Sequence, residues 1–230
     1  MISISDRVLY EDNHLLIVNK LSGELVQGDI TGDEPLLEKV KSYLKEKYNK
    51  PGEAYAGLIH RLDRPTSGVV VFAKTSKALS RMNAIFEKRE VIKKYYAIVA
   101  GTPKIKEEEL KNHLKKNQQK NKSFVVARHV NGAKEARLRY RLKATSERYS
   151  LLEVELFTGR HHQIRVQLAE RSMPIKGDLK YGFPRSNPDA SISLHSGFVS
   201  FIHPVSNEKI EVKALHPQPD ALWKHFNSFL

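Results

Sequence analysis

The chain has 230 residues, enough to bury the core of a domain, and its 39 Lys and Arg against 26 Asp and Glu give a net charge of +13. This excess favours a polyanionic partner, either a nucleic acid or an anionic membrane surface. The sequence has no cysteine, which excludes disulfides and thiolate metal sites, and no apolar run near the roughly 20 residues that a membrane span needs. Asp6 and Arg7 stand where a signal peptide would be apolar, so we expect a folded, soluble, cytoplasmic protein and, by default, a monomer.

The first half of the chain alternates strand-like and helix-like segments. The apolar run at residues 14–19 (HLLIVN) lies between turn-forming residues and predicts a strand. Residues 35–48 place apolar side chains on one face and predict an amphipathic helix. The run VVVFA at residues 69–73 predicts a buried strand, Ser76 is predicted to cap a helix, and residues 95–100 (YYAIVA) predict a further strand.

The second half opens with a segment, residues 104–122, that carries seven lysines. We interpret it as a solvent-facing, partly mobile excursion. Residues 136–143 then alternate strictly, with apolar side chains on one face and four cations on the other: Arg137, Arg139, Arg141 and Lys143. The cationic face is either a grip for RNA or a plain solvated face.

Later segments complete the predicted elements. Residues 151–157 predict a strand, a loop at Thr158-Gly159 precedes a helix, residues 198–202 and 209–213 predict a hairpin, and a short helix closes the chain with Leu222, Phe226 and Phe229 on one face. Runs of strands broken by separate helices indicate one α+β domain over residues 1–230 with a largely antiparallel sheet.

The densest polar cluster is HRLDRPTSG at residues 60–68. Its one carboxylate, Asp63, stands between Arg61 and Arg64, and nearby cations favour the ionised form that a nucleophile or base needs. The alternative is a surface loop in which Asp63 caps a turn. An HRLD string also occurs in the catalytic loop of protein kinases, but no glycine-rich phosphate loop precedes it and no Asp-Phe-Gly follows.

A second cluster, TGRHHQIRVQ, covers residues 158–167. Arg160, Gln163 and Arg165 offer donors suited to phosphate or carboxylate. His161 and His162 are expected to point in different directions, and no acidic or Cys partner stands nearby at ligand spacing, so we predict no metal site. A third cluster, IKGDLKYG at residues 175–182, is a weak signal by itself.

These segments, with KKYYAIVAG and LHSGFVSFIHPV, occur in an order that resembles the successive motifs of the RluA-type RNA pseudouridine synthases. The opening VLYEDNHLLIVNKLSG resembles that family's first segment, so the resemblance runs from Val8 to Pro217. Leu21 departs from the family's usual Pro, His161 from Thr and Gln167 from His. The residues before Val8 are too few for the S4 RNA-binding domain of many relatives, so we expect a catalytic domain alone.

The resemblance implies the pseudouridine synthase fold, an α+β fold whose mixed, largely antiparallel sheet carries flanking helices and loops that form a central RNA-binding cleft. It also implies that the protein isomerises a uridine in structured ribosomal or transfer RNA. Asp63 would act covalently on the nucleotide, and attack on the ribose, attack on the base and a glycal route all remain open. No cofactor and no metal are implied, and neither a membrane nor DNA is an expected partner.

Other site residues follow from the same resemblance. Tyr95 would lie against the target uracil, and Arg165 would pair with Asp63. Residues expected to contact RNA are Arg61, which would fill the space left by the flipped base, Arg64 and Arg160 on flanking phosphates, and His60. A non-enzymatic RNA-binding protein is the competing class, and the joint presence of Asp63, Tyr95 and Arg165 argues against it. An RNA-directed hydrolase or glycosidase would need a second carboxylate near Asp63, and none is evident in the sequence.

Overall fold

The computed structural model describes residues 2–230, which form two compact units. The first contains the chain up to Val91 together with Ser196–Pro219, and the second contains Ile92–His195 and Asp220–Leu230. The expectation of a single catalytic domain over the whole chain stays a prediction. Among the described residues, no helix has both the length and the apolar character to cross a bilayer.

The regular elements follow one another in a mixed order of strands and helices. The strands are β1 (Val8–Glu11), β2 (Leu15–Lys20), β3 (Gly57–Leu58), β4 (Ser67–Ala73), β5 (Ile92–Ala100), β6 (Glu107–Asn117), β7 (Lys122–Val126), β8 (Lys134–Thr145), β9 (Tyr149–Leu156), β10 (Leu194–Ile202) and β11 (Lys209–Lys213). The helices are α1 (Leu36–Lys47), α2 (Ser76–Glu87), α3 (Gln163–Glu170) and α4 (Ala221–Phe226), with short 3-10 turns at Ser5–Arg7, Leu179–Tyr181 and Asn227–Phe229. The predicted α+β class with a mostly antiparallel sheet is confirmed.

In the first unit the strand order is β1-β2-β4-β10-β11, with β3 beside β4. Every residue of β2 and β4 is buried, which explains why each strand contains a continuous apolar run, residues 15–18 and 69–73, instead of an alternating pattern. The predicted strands, both helices and the β10–β11 hairpin are confirmed. The predicted helix cap is off by one residue, because the Thr75 side chain, not Ser76, accepts a hydrogen bond from the Ala78 backbone N–H.

In the second unit the antiparallel order is β5-β9-β8-β6-β7. Helix α3 packs against β6 and β7, where Leu114, Ala136, Val166 and Tyr181 form a buried cluster. The predicted closing helix is confirmed as α4, but its buried side chains are Trp223 and Phe226, whereas Phe229 is exposed.

The interpretation of residues 104–122 as a mobile excursion is wrong, because β6 is an eleven-residue strand that pairs with both β7 and β8. Leu110 and Leu114 are buried, while most lysines of the strand are exposed. The position between the two leucines is polar because the Asn112 side chain accepts a hydrogen bond from Gln167 Nε2 at 2.8 Å. This strand is held by pairing with distant residues rather than by its own composition.

The alternating segment 136–143 is part of β8, and its predicted apolar face is confirmed by the burial of Ala136, Leu138 and Tyr140. Three of the four cations, however, face carboxylates on the neighbouring strands. The ion pairs join Arg137 to Glu109 at 2.7 Å, Arg139 to Glu155 at 2.6 Å and Arg141 to Glu107 at 3.0 Å. The three arginines are therefore compensated by carboxylates, and the two interpretations of this face, a grip for RNA and a plain solvated face, stay predictions. We call these six residues the charge ladder.

Candidate active site

Asp63 lies in the loop that joins β3 to β4, in the first unit, and its side chain is half-buried. The loop is closed locally because the Thr66 backbone N–H donates to the Asp63 carbonyl at 3.0 Å. Gly68 enters β4 with a φ of 119°, and a Cβ there would lie 2.3 Å from the Ser196 carbonyl oxygen. Only glycine fits that position, so the TSG of the motif fixes how the loop leaves the sheet.

A buried lysine holds the other side of this loop. Lys20 at the end of β2 is fully buried, and its Nζ donates to the backbone carbonyls of Leu21 at 2.8 Å and Arg64 at 3.1 Å. Burial lowers the pKa of Lys20 to about 7, although the negative charges of Glu24 and Asp63 act in the opposite direction. Lys20 was not among the residues predicted from the sequence, and the available signal was a lysine shortly after the apolar run at residues 15–18.

The three basic residues near Asp63 have different surroundings. His60 Nε2 accepts a hydrogen bond from the Val71 backbone N–H at 3.1 Å, and its ring stacks on Phe86. Arg64 donates to the Gly23 carbonyl at 3.0 Å and pairs with Asp33 at 2.6 Å. Within residues 2–230, exposed Arg61 makes no ion pair. The RNA contacts expected of all three stay predictions, and the contacts of His60 and Arg64 support the loop itself.

In the second unit, Arg165 of α3 forms a two-pronged ion pair with Asp178. Arg165 Nε lies 2.7 Å from Oδ2 and Nη2 lies 2.8 Å from Oδ1, and both side chains are almost fully buried. The guanidinium also lies over the Tyr181 ring, 5.1 Å from its centre. A planar fork satisfies both carboxylate oxygens at once, which a lysine could not do. The predicted pairing of Arg165 with Asp63 stays a prediction.

Asp178 is a functional candidate that was not predicted from the sequence. The preceding Gly177 has a φ of 87°, and a Cβ there would lie 2.7 Å from the Ser191 carbonyl and 2.8 Å from the Asn187 side chain. A side chain at residue 177 is therefore excluded, and the turn presents Asp178 to Arg165. The signal was present in IKGDLKYG, but the sequence alone could not tell which cation this carboxylate meets.

The TGRHHQ loop ahead of α3 is organised by Gln163. Its Oε1 accepts from Thr158 Oγ1 at 2.7 Å and from the Arg160 backbone N–H at 3.0 Å, and its Nε2 donates to the Arg137 carbonyl at 3.0 Å. The interpretation of Gln163 as a donor to a phosphate or carboxylate is wrong, because the amide is buried and its contacts are to Thr158, Arg160 and Arg137. Arg160 is half-buried and donates from Nε to the Glu135 carbonyl at 2.8 Å, so its phosphate contact stays a prediction.

The two histidines of this loop stack on each other, with ring centres 3.8 Å apart, so the expectation that they point in different directions is wrong. The cause is the left-handed backbone of His162, whose φ is 53°. Burial lowers the pKa of His162 to about 2, and the nearby Arg165 charge acts in the same direction, so the ring stays neutral. In the part of the chain that the structure describes, no three His, Asp or Glu side chains are grouped to hold a metal ion.

Tyr95 and Tyr96 follow each other on β5 and therefore face opposite sides of the strand. Tyr95 is almost fully buried. Tyr96 packs on the cluster of Ile98, Leu151, Trp223 and Phe226. Alternation places Lys93 on the same side as Tyr95, and burial lowers the pKa of Lys93. The assignment of Tyr95 to the target uracil stays a prediction.

The model of the RNA pseudouridylate synthase family matches residues 14–170 of this chain. The chain belongs to this family. Members of the RNA pseudouridine synthase family are isomerases that convert uridine in RNA to pseudouridine. The matched range contains Asp63, Tyr95 and Arg165, whereas Asp178 lies beyond it.

Individual relatives agree with this assignment. The chain is 34% identical over 221 residues to the ribosomal large subunit pseudouridine synthase C of Buchnera aphidicola subsp. Acyrthosiphon pisum, covering 92% of this chain and 68% of the relative. It is 32% identical over 213 residues to the protein of the same name from Vibrio cholerae, covering 90% of this chain and 64% of the relative. The chain thus spans about two thirds of the length of these curated relatives.

The fold has counterparts among solved structures. The human RNA pseudouridylate synthase domain containing 4 protein superimposes with a TM-score of 0.79 at 22% identity, covering 96% of this chain and 92% of that one. The human domain containing 1 protein gives a TM-score of 0.70, also at 22% identity, covering 93% and 83%. At this identity the likeness shows the fold alone.

Proposed function

We propose that this chain isomerises a uridine of large-subunit ribosomal RNA to pseudouridine, with Asp63 as the carboxylate that acts on the nucleotide. The observation that carries the proposal is the ordered loop around Asp63 in a chain that belongs to the RNA pseudouridylate synthase family. Three features hold this loop: the hydrogen bond from Lys20 to the Arg64 carbonyl, the turn closed by the Thr66 N–H, and position 68, which only glycine fits. A pre-ordered carboxylate is what covalent or electrostatic action on a ribose or a uracil requires.

The reaction conserves the composition of the RNA. The N-glycosidic bond between the ribose and N1 breaks, a C–C bond forms to C5, the C5 proton leaves to solvent, and N1 gains a proton. An ionised carboxylate can form and release an ester-like bond during this exchange, or it can remove a proton on a glycal route. We assign Tyr95 to the target uracil and Arg165 to orienting the catalytic carboxylate.

A target base in structured RNA must leave its stack, which costs a few kcal/mol. Exposed Arg61, which makes no ion pair within residues 2–230, is the side chain that we assign to the vacated position. The preference for ribosomal over transfer RNA is supported by relatives whose names specify the large ribosomal subunit. We also propose that the protein acts as a monomer and that it acts in the cytoplasm, where ribosomes are assembled.

The substitution Asp63→Asn tests the catalytic part of the proposal. It keeps the shape of the side chain and removes the charge, so tritium release from 5-tritiated large-subunit ribosomal RNA should fall by roughly 10³-fold or more. Asp29→Asn is the matched control, since Asp29 is an exposed loop carboxylate that contacts Thr31 and should keep the wild-type rate. Turnover by Asp63→Asn at the control's rate would contradict the assignment.

The substrate is tested in cells. Pseudouridine mapping of total RNA with and without the gene should reveal a site in large-subunit ribosomal RNA that disappears with the gene and returns with the wild-type gene but not with Asp63→Asn. If a site in transfer RNA disappears instead, the assignment of ribosomal RNA as the substrate would be wrong, whereas the assignment of pseudouridine synthase activity would stand.

A further inference from the structure

The end of the β6–β7 hairpin carries a group of cations around an exposed aromatic ring. Lys115 stands directly opposite Phe124 in the strand register, and the Lys122 ammonium lies 5.5 Å from the centre of the Phe124 ring. The Phe124 residue is 38% exposed, which is high for a phenylalanine on a strand. We call Lys115, Lys116, Lys120, Lys122 and Phe124 the hairpin patch.

A shallow depression of about 450 Å³ lies at this patch. Its lining contains amides, lysines and apolar side chains but no carboxylate: Lys115, Lys116, Asn117, Gln118, Gln119, Phe124 and Val126. Amides and ammonium groups around an aromatic face are the surface chemistry that proteins use for the phosphates and bases of unpaired nucleotides.

The charge of this patch differs from that of the neighbouring ladder. Strand alternation puts Glu107, Glu109 and Lys115 on one face of β6. On that face the two glutamates pair with Arg141 and Arg137. At the hairpin end, by contrast, the structure of residues 2–230 gives no ion pair to Lys115, Lys116, Lys120 or Lys122. The patch therefore keeps its positive charge, whereas the ladder is compensated.

The hairpin is anchored to residues beside Arg165 in the same unit. The Ser123 backbone N–H donates to the Tyr181 hydroxyl at 2.9 Å, and Ser123 Oγ donates to the His161 carbonyl at 2.7 Å. Tyr181 in turn lies under the Arg165 guanidinium. These contacts, all within the second unit, hold the patch in a fixed place relative to Arg165, so it is ordered before any RNA arrives.

We propose that the hairpin patch is an RNA-binding subsite for unpaired nucleotides that flank the target uridine. The lysines bind phosphates, and Phe124 stacks on a base. This extends the proposed function and rests on it for the identity of the substrate, because an RNA substrate supplies the phosphates. An RNA ligand is favoured over an anionic membrane because a membrane-binding face carries several apolar side chains, whereas the aromatic side chain of this patch is Phe124 alone.

The binding test uses the full chain and a fluorescent 20-nucleotide oligouridylate, titrated by anisotropy between 50 and 200 mM KCl. Lys115→Gln/Lys116→Gln/Lys120→Gln should weaken binding by about tenfold or more and flatten the slope of log Kd against log salt by about 0.7 for each lost phosphate contact. Lys122 is left in place because it also lies over the Tyr181 ring.

The control removes the same charge from the ladder of the same unit, with Arg137→Gln/Arg139→Gln/Arg141→Gln. Because these arginines already face carboxylates, the control should change the affinity by less than about threefold. Phe124→Ala should weaken binding by about fivefold or more with an unchanged salt slope, because a stacked base is lost but no charge is removed. Phe124→Tyr keeps an aromatic ring and should therefore bind with the wild-type affinity.

The outcomes separate this proposal from the proposed function. An equal loss of affinity in the hairpin and ladder variants would mean that only net charge matters, and it would overturn the subsite. Unchanged oligouridylate binding in the hairpin variants would also overturn it, even if the wild type forms pseudouridine. If the hairpin variants lose binding but the wild type forms no pseudouridine in any RNA, the subsite stands and the proposed function fails. Vesicles of anionic lipid that compete with the RNA, combined with a silent Phe124→Ala, would identify a membrane surface and overturn the RNA assignment.

Discussion

Two buried cations of the candidate site are stabilised by different physical means. Arg165 faces a carboxylate, and both prongs of its guanidinium are satisfied by Asp178. Lys20 is buried and donates instead to two neutral backbone carbonyls, so burial lowers the pKa of Lys20 to about 7 without a hydrogen-bonded carboxylate to offset it. The arginine is therefore a fixed charge, whereas the lysine changes its charge within an ordinary range of pH.

This difference predicts a pH dependence for stability that comes from Lys20. Above pH 7 the folded protein loses the Lys20 proton, whereas the unfolded chain keeps it up to the ordinary lysine pKa of 10.5. The unfolded state then binds more protons, so the contribution of Lys20 to the free energy of unfolding rises between pH 7 and about 10, by at most about 1.4 kcal/mol per pH unit.

The measurement is urea unfolding of the wild type and of Lys20→Met at pH 7, 8 and 9. The difference in free energy of unfolding, wild type minus variant, should grow with pH by roughly 2 kcal/mol over this range. The subtraction removes the titration of other groups. A difference that stays constant with pH would show that Lys20 keeps its proton in the folded protein.

Among the elements, the segments predicted from sequence are those whose own pattern is sufficient. Strands β2 and β4 each contain a continuous apolar run, at residues 15–18 and 69–73, α1 and α2 carry apolar stripes, and the β10–β11 hairpin has a clear turn. Strand β6 was missed because it has only two buried leucines and depends on pairing with β8. The compensation of the β8 arginines was missed for the same reason, since Glu107 and Glu109 lie about thirty residues away in sequence.

The residues of the candidate site also fall into those that the sequence predicts and those that only the structure reveals. Long sequence motifs that resemble those of the family were sufficient to propose Asp63, Tyr95 and Arg165. The partners Lys20 and Asp178 were not proposed, because a sequence does not show which carbonyl a buried ammonium reaches or which guanidinium a turn carboxylate faces.

At the level of elements, the Arg165–Asp178 pair ties helix α3 to the turn at residues 175–178. Asp178→Asn removes the charge that faces a buried guanidinium, so the free energy of unfolding should fall by roughly 3–5 kcal/mol in urea titrations. Glu155→Gln is the matched control, because its partner Arg139 is exposed and such pairs contribute about 1 kcal/mol or less. Equal losses in the two variants would contradict a structural role for the buried pair.

For the whole molecule, the net charge of +13 overstates the charge that RNA can use. Ladder arginines are compensated by glutamates, and Arg64 pairs with Asp33. The cations that the structure of residues 2–230 leaves without an ion pair include Arg61 and the lysines of the hairpin patch. Attraction to RNA should therefore come from a few local sites rather than from the sum of charges.

The salt dependence of binding tests whether a few local sites bind the RNA, and it is measured with the Asp63→Asn protein, which we expect to bind target RNA without converting it. If four to eight cations contact phosphates, the slope of log Kd against log salt should have a magnitude of roughly 3 to 7. If all thirteen excess charges acted on phosphates, the slope would lie near roughly 9 to 12. Fluorescence anisotropy between 50 and 300 mM KCl distinguishes the two cases, and the ladder triple variant should leave the measured slope in place. A slope in the higher range that falls in the ladder variant would show that the arginines leave their glutamates to bind RNA.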